Sequence, residues 1–290
     1  MREDPPERQT LSWAAAAIGP SARVVDVRTL HEDQGPWRLR VEHCGSTTYC
    51  VLRAPTPRID AIAVATGAAA LETAERHGLP APRLIDTDVA GSRAGVPSTL
   101  ETVVPGTTDW PVASVERLRA AGAALAEIHR VAMSPGEHLP FRPRPIAVDD
   151  FAADRRCGRM ETTPLLQQAD ELITAHGVPA HDSVYLHGDV WPGNLIWTGD
   201  QVSALIDWKT AGVGAPGVDL SELRKQVAIT FGPEAPAAVL TGWEHAAGTK
   251  ARDVAYWDAV AALNTPTELY APVATDRRDA FLRSALSALP

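Results

Sequence analysis

The chain has 290 residues, 45% of them hydrophobic and 22% charged, with a formal net charge of −9. That length exceeds what one core usually fills and the composition is that of a globular chain, which excludes fibrous and disordered classes and points to two lobes. The excess of acid, with no run of lysine and arginine, argues against a nucleic-acid partner. Cys44, Cys50 and Cys157 are too few for a disulfide scaffold and have no CxxC spacing. The N-terminal MREDPPERQT is charged and proline-broken, and the following WAAAAIG is too short for a secretory core or a membrane span. A soluble protein of a reducing, cytoplasmic compartment with no membrane partner is expected.

From Ala22 to Arg53 the segments ARVVDVRTL, WRLRVEH and TTYCVLR read as three strands of an antiparallel meander, separated by turn-prone HEDQGP and CGS. The run from Ile59 to His77 has helical periodicity and stops at Gly78. PRLIDTD and PSTLETVVPG read as further strands. Residues 1–106 therefore form a small α+β lobe, an antiparallel sheet with one main helix, closing at Pro105-Gly106. Across 107–290 helix dominates. Leu118, Ala121, Leu125 and Ile128 recur at helical spacing between Val112 and Ala132, and further helices fit about 164–176, 218–231, 234–247, 251–263 and 276–288. Between them VYLH, NLIW and VSALID read as short strands.

The chemistry lies among those strands, in VYLHGDVWPGNLIWTGDQVSALIDW from Val184. One strand delivers His187-Gly188-Asp189, a short loop reaches Asn194, and a hairpin ends on Asp207. An Asp-x-x-x-x-Asn loop followed by a strand-borne Asp is the spacing of a kinase catalytic loop. Moving a γ-phosphoryl group requires its charge to be neutralised by Mg2+, a hard cation that takes oxygen ligands, and Asn194 and Asp207 offer them. Asp189 is then the candidate catalytic carboxylate, orienting the acceptor hydroxyl and taking its proton. His187 is expected to fix the loop backbone rather than act as a base. Of the flanking tryptophans Trp191, Trp197 and Trp208, Trp191 alone lies within the loop. Asp219 opens the helix after GVGAPG, either as a helix capper or as an acceptor for the loop amides.

HGDVWPGN, then LIDW, then GAPGVDL resembles the signature of the aminoglycoside phosphotransferase and choline kinase superfamily, of the bacterial antibiotic phosphotransferase type. TTYCVLR, ERHGLPAPRLIDTD and TLETVVPG resemble its third strand, the end of its N-lobe helix, its fourth strand and its hinge, so the likeness spans about residues 22–264. It implies an α+β, bilobal, protein-kinase-like fold with ATP in the cleft between a nucleotide-binding lobe, 1–106, and a helical catalytic and acceptor-binding lobe, 107–290. It also implies a phosphate contact from Arg53, backbone contacts to adenine from Thr102 and Val104, and a HEDQGPW turn covering the phosphates. One departure stands out. The family usually places a glutamate about four residues before Leu71 to pair with the strand-three basic residue, and here that position is Gly67. Glu72 lies five residues on, roughly 140° around the helix, and is a poor substitute.

The function expected from these residues is O-phosphorylation of a small molecule, with an aminoglycoside or related antibiotic as the first acceptor class. A macrolide, a choline-like amine or a sugar remains an alternative, as does a non-catalytic, kinase-shaped binding protein, which Gly67 would favour. Glu244, Asp258 and Glu268 are candidate acceptor contacts, set against the simpler reading of a solvated helix face. A protein kinase is disfavoured, because eleven residues separate Asp207 from Asp219, too few for an activation loop.

Overall fold

The computed structural model describes residues 5–31, 34–57, 59–111 and 114–290. The middle of the HEDQGPW turn and the start of the helix expected from Val112 lie outside the described residues. The chain divides into two compact units, Met1–Pro105 and Gly106–Pro290.

The first unit is a five-stranded antiparallel sheet in the order β1-β2-β3-β5-β4. Its strands are β1 (Arg23–His31), β2 (Gln34–His43), β3 (Ser46–Arg53), β4 (Leu84–Asp88) and β5 (Ser98–Thr102). Alternation decides the buried face: Trp37, Leu39 and Val41 on β2, Cys50 and Leu52 on β3 and Leu100 on β5 share one core. Burial raises the Cys50 thiol to about 11, so this cysteine is packing rather than chemistry. The expected helix is α2 (Ala61–Arg76), opened by the Asp60 carboxylate accepting from the Ala63 amide at 2.7 Å. A second, shorter helix, α1 (Arg8–Ile18), accompanies the one main helix expected. Its alanine run is strong helix former, and Trp13 and Ala14 join the sheet's core.

In the second unit α3 (Val115–His129) begins at Ser114, whose hydroxyl caps the Arg117 amide at 3.0 Å. A short α4 (Phe151–Arg156), not foreseen, and α5 (Pro164–His176) follow. Next come β6 (Val184–Leu186), the hairpin β7 (Leu195–Thr198) and β8 (Gln201–Leu205), and β9 (Gly212–Gly214), which pairs with β6. Four helices complete the unit: α6 (Pro216–Phe231), α7 (Ala235–Ala247), α8 (Val254–Leu263) and α9 (Pro272–Ser287). The α6 helix is buried nearly all round, and its charged residues Asp219, Glu222, Arg224 and Lys225 find partners within the protein.

The α3 and α7 helices meet at backbone distance through a reciprocal pair of glycines. A Cβ on Gly122 would overlap the Val239 carbonyl oxygen, and one on Gly242 would overlap the Arg119 carbonyl oxygen. No rotamer relieves a clash with backbone, so the helices would have to separate. Gly122→Ala is expected to destabilise the protein by about 1–3 kcal/mol, read as a lowered midpoint in chemical denaturation.

Candidate active site

The loop from His187 to Asn194 is fixed by hydrogen bonds at almost every step. The Asp219 carboxylate, at the first turn of α6, accepts the His187 amide at 2.7 Å on Oδ2 and the Gly188 amide at 2.8 Å on Oδ1. Gly188 has φ +84°, and a Cβ there would overlap the Thr210 carbonyl, so both the turn and the close approach require glycine. Its carbonyl accepts the Ile146 amide at 2.8 Å. The Asn264 side chain at the end of α8 holds that neighbouring segment by donating to the Pro145 carbonyl at 2.5 Å.

Asp219 is 1% exposed. Burial works to raise its pKa, but the hydrogen bond and charge of His129, the charge of His187 and the Gly188 amide outweigh it and leave the carboxyl below its usual range. His129, at the end of α3, reaches Asp219 Oδ2 with Nε2 at 3.3 Å, while its Nδ1 accepts from Trp243 Nε1 of α7 at 2.9 Å. With Nδ1 so occupied, the Nε2 proton points at the carboxylate. A four-part connection thus runs Trp243, His129, Asp219, loop amides. The sequence reading missed His129 and Trp243. The signal open to it was a histidine on the buried stripe of α3, which by itself is no more than a core residue.

His187 is fully buried, and burial holds its pKa below the ordinary histidine value against the pull of Asp219. Its Nε2 donates to the Ile206 carbonyl at 2.9 Å and its Nδ1 accepts the Asp189 amide at 3.3 Å. Both ring nitrogens are spent on backbone, as expected of a positioning histidine.

Asp189, Asn194 and Asp207 come together at the loop and hairpin. Asn194 Nδ2 donates to the Asp189 carbonyl at 2.9 Å, and the Asn194 carbonyl accepts the Ile206 amide at 2.9 Å. Asp207 does not end a strand: β8 stops at Leu205, and Asp207 sits at φ 68°, ψ 58°, a left-handed conformation uncommon outside glycine. Lys209 ion-pairs with Asp207 Oδ2 and lies 3.8 Å from Asp189 Oδ2. Burial pushes the Asp189 carboxyl up to about 6, with Lys209 opposing and the negative Asp207 and Glu222 adding to the rise.

Magnesium fits this donor set. Among the described residues no group of three His, Cys, Asp or Glu side chains could hold a metal alone. Mg2+, however, is typically held by one or two carboxylates with the substrate's phosphates and water. Asp207 already carries a cation in the Lys209 ammonium. Asn194, held through Nδ2, leaves its Oδ1 as the atom a hard ion would take.

In the first unit Arg53 is paired despite Gly67: its Nε donates to Glu101 Oε1 of β5 at 2.8 Å, with the two side chains 11% and 4% exposed. Glu72 faces solvent. The Thr102 amide is spent on the Arg83 carbonyl at 2.9 Å, whereas the Val104 amide makes no hydrogen bond among the described residues. Trp197 and Trp208 are buried; Trp208 stacks on Tyr185 with ring centres 5.4 Å apart, and Trp191 is 45% exposed. The three acids proposed as acceptor contacts separate. Asp258 is buried in a bidentate pair with Arg224, at 3.0 Å to Nε and 2.8 Å to Nη2, which corrects the solvated-face reading. Glu244 pairs with Lys250, and Glu268 is exposed.

The family model described as "Phosphotransferase enzyme family" matches residues 40–263. A homoserine kinase of Beijerinckia indica subsp. indica is 27% identical over 199 residues, a stretch covering 64% of this chain and 61% of that protein. This chain therefore matches under two thirds of that relative's length. Macrolide 2'-phosphotransferase MphH of Brachybacterium faecium superposes with a TM-score of 0.63 at 20% identity, covering 97% of this chain and 98% of that one. A thermostable mutant of aminoglycoside phosphotransferase APH(4)-Ia, in ternary complex with ADP and hygromycin B, does so with a TM-score of 0.59 at 16% identity, covering 90% and 95%. These structures share the fold.

Two outcomes are expected. With Asp189 raised from 3.8 to about 6, the folded chain keeps a proton that the unfolded chain releases, so stability drops as pH rises through that window. Asp189→Asn removes this cost. The metal-free variant should exceed the parent by on the order of 1–3 kcal/mol above pH 6, with the difference vanishing below about pH 4, as read by denaturation at several pH values. Glu101→Ala removes the carboxylate that accepts from Arg53 Nε and should cost about 3–5 kcal/mol, whereas Glu101→Gln keeps an acceptor for Nε and should cost less.

Proposed function

Because the chain belongs to the phosphotransferase enzyme family, we propose that it is an ATP-dependent kinase of small-molecule hydroxyls, with a cationic, aminoglycoside-like compound as the first acceptor class. The observation that carries the reading is the convergence of Asp189, Asn194 and Asp207 on one braced loop, tied by the Asn194 bond to the Asp189 carbonyl and by Lys209 between the two carboxylates.

In this reading Asp189 accepts the acceptor's hydroxyl hydrogen. As the oxygen bonds to the γ-phosphorus and the bond to the departing ADP breaks, the proton passes to Asp189 Oδ. Asn194 and Asp207 hold magnesium, which supplies charge neutralisation on the phosphates when bound. Asp219 and His187 position the loop. Arg53 contributes a phosphate contact, and the backbone of Thr102 and Val104 meets adenine. Glu101 supplies a carboxylate partner for Arg53 where Gly67 offers none, which supports the catalytic reading over the non-catalytic one. The net charge of −9 suits a cationic acceptor. The homoserine kinase relative supports a second class, a small hydroxy amino acid.

Coupled ADP release with Mg2+ across aminoglycosides, macrolides, homoserine, choline and sugars tests the proposal. One class should drive turnover, and Asp189→Ala should lower kcat about 100-fold or more. Binding of MgATP with no turnover on any of these would contradict it.

A further inference from the structure

Lys209 was not among the residues singled out in the sequence, yet it carries positive charge into the candidate site. Its ammonium ion-pairs with Asp207 Oδ2, also hydrogen-bonds it, and stands 3.8 Å from Asp189 Oδ2. The local backbone makes this contact: Asp207 turns in the left-handed region, and the 3₁₀ turn Trp208–Thr210 brings the side chain two residues on back over the carboxylate. Trp208 anchors that turn, with Nε1 donating to the Leu205 carbonyl at 2.8 Å. The other lysine whose charge bears on Asp189, Lys225, cannot serve, since it is 1% exposed and held by Glu222 Oε2 at 2.7 Å and the Ala261 carbonyl at 3.3 Å. Lys209 is 26% exposed and has a flexible four-carbon stem, so its head can move.

We propose that Lys209 is an internal counter-ion that occupies Asp207 in the nucleotide-free protein and yields it to a divalent cation arriving with a polyphosphate. The inference rests on the reading of Asp207 as a metal ligand. One carboxylate oxygen cannot serve an ammonium and a doubly charged ion at once, because the two cations repel at contact distance. A free metal entering at Oδ2 therefore displaces Lys209 from that oxygen, and one entering at the other oxygen still meets the repulsion of the ammonium beside it. A metal that comes with phosphates brings the anion that the displaced ammonium can pair with. Lys209 thereby makes metal loading depend on nucleotide and keeps the site closed to free divalent ions.

The test measures Mn2+ affinity by electron paramagnetic resonance, with and without ADP, in the parent, Lys209→Met, Lys209→Arg and Asp207→Asn proteins, with thermal melts confirming that each is folded. In Lys209→Met the nucleotide-free affinity for Mn2+ should rise about tenfold, the size expected for release of a partly buried ion pair, and the enhancement by ADP should shrink correspondingly. Lys209→Arg keeps a cation and should behave like the parent. An unchanged or weaker Mn2+ affinity in Lys209→Met overturns the inference. Mn2+ binding that is indifferent to Asp207→Asn overturns the metal assignment beneath it, whereas binding that requires Asp207 and ignores Lys209 overturns this inference alone.

Discussion

The candidate site depends on one buried carboxylate with two backbone amides on it. Asp219 is removed from water, and an isolated ionised carboxylate would neutralise rather than stay there. It stays ionised because the His187 and Gly188 amides and the His129 ring all donate to it. In return two successive amides of a loop that belongs to no ladder receive a charged acceptor, which is stronger than a neutral one. The loop's direction, and with it the aim of Asp189, follows from where α6 places that carboxylate.

Other elements can be understood by how they serve this contact. The glycine pair between α3 and α7 draws the helices close enough for Trp243 to reach His129, and His129 reaches Asp219. On the far side of the loop Ile146 bonds the Gly188 carbonyl, and Asn264 holds the segment that carries Ile146. Gly188 is thus gripped through both its amide and its carbonyl. Asp189, Asp207 and Lys209 can then form a small charged group against a rigid background, which electrostatic stabilisation of a transferred group requires.

The strands and most helices were legible because period-2 and period-3.6 patterns are local. Asp189, Asn194 and Asp207 were legible because their spacing is that of a loop and hairpin. Contacts between distant segments were not. Glu101 stands in for the carboxylate expected at Gly67, and only the pairing of β3 with β5, which sets Arg53 opposite Thr99, brings it near. Asp258 reads as surface charge until Arg224 is seen beside it. His129 and Trp243 are 114 positions apart and carry no joint signal. The α1 helix was legible and went unread: its alanine run favours helix and its buried residues Thr10, Trp13 and Ala14 share one face.

The central claim is that Asp219 holds the loop through the His187 and Gly188 amides. Asp219→Asn tests it most directly, because the amide must present an NH2 group to one of the two donors. Hydrogen exchange at those two amides should quicken while exchange along β6 and the core of α6 stays slow. A variant that keeps both amides as protected as in the parent would contradict the account.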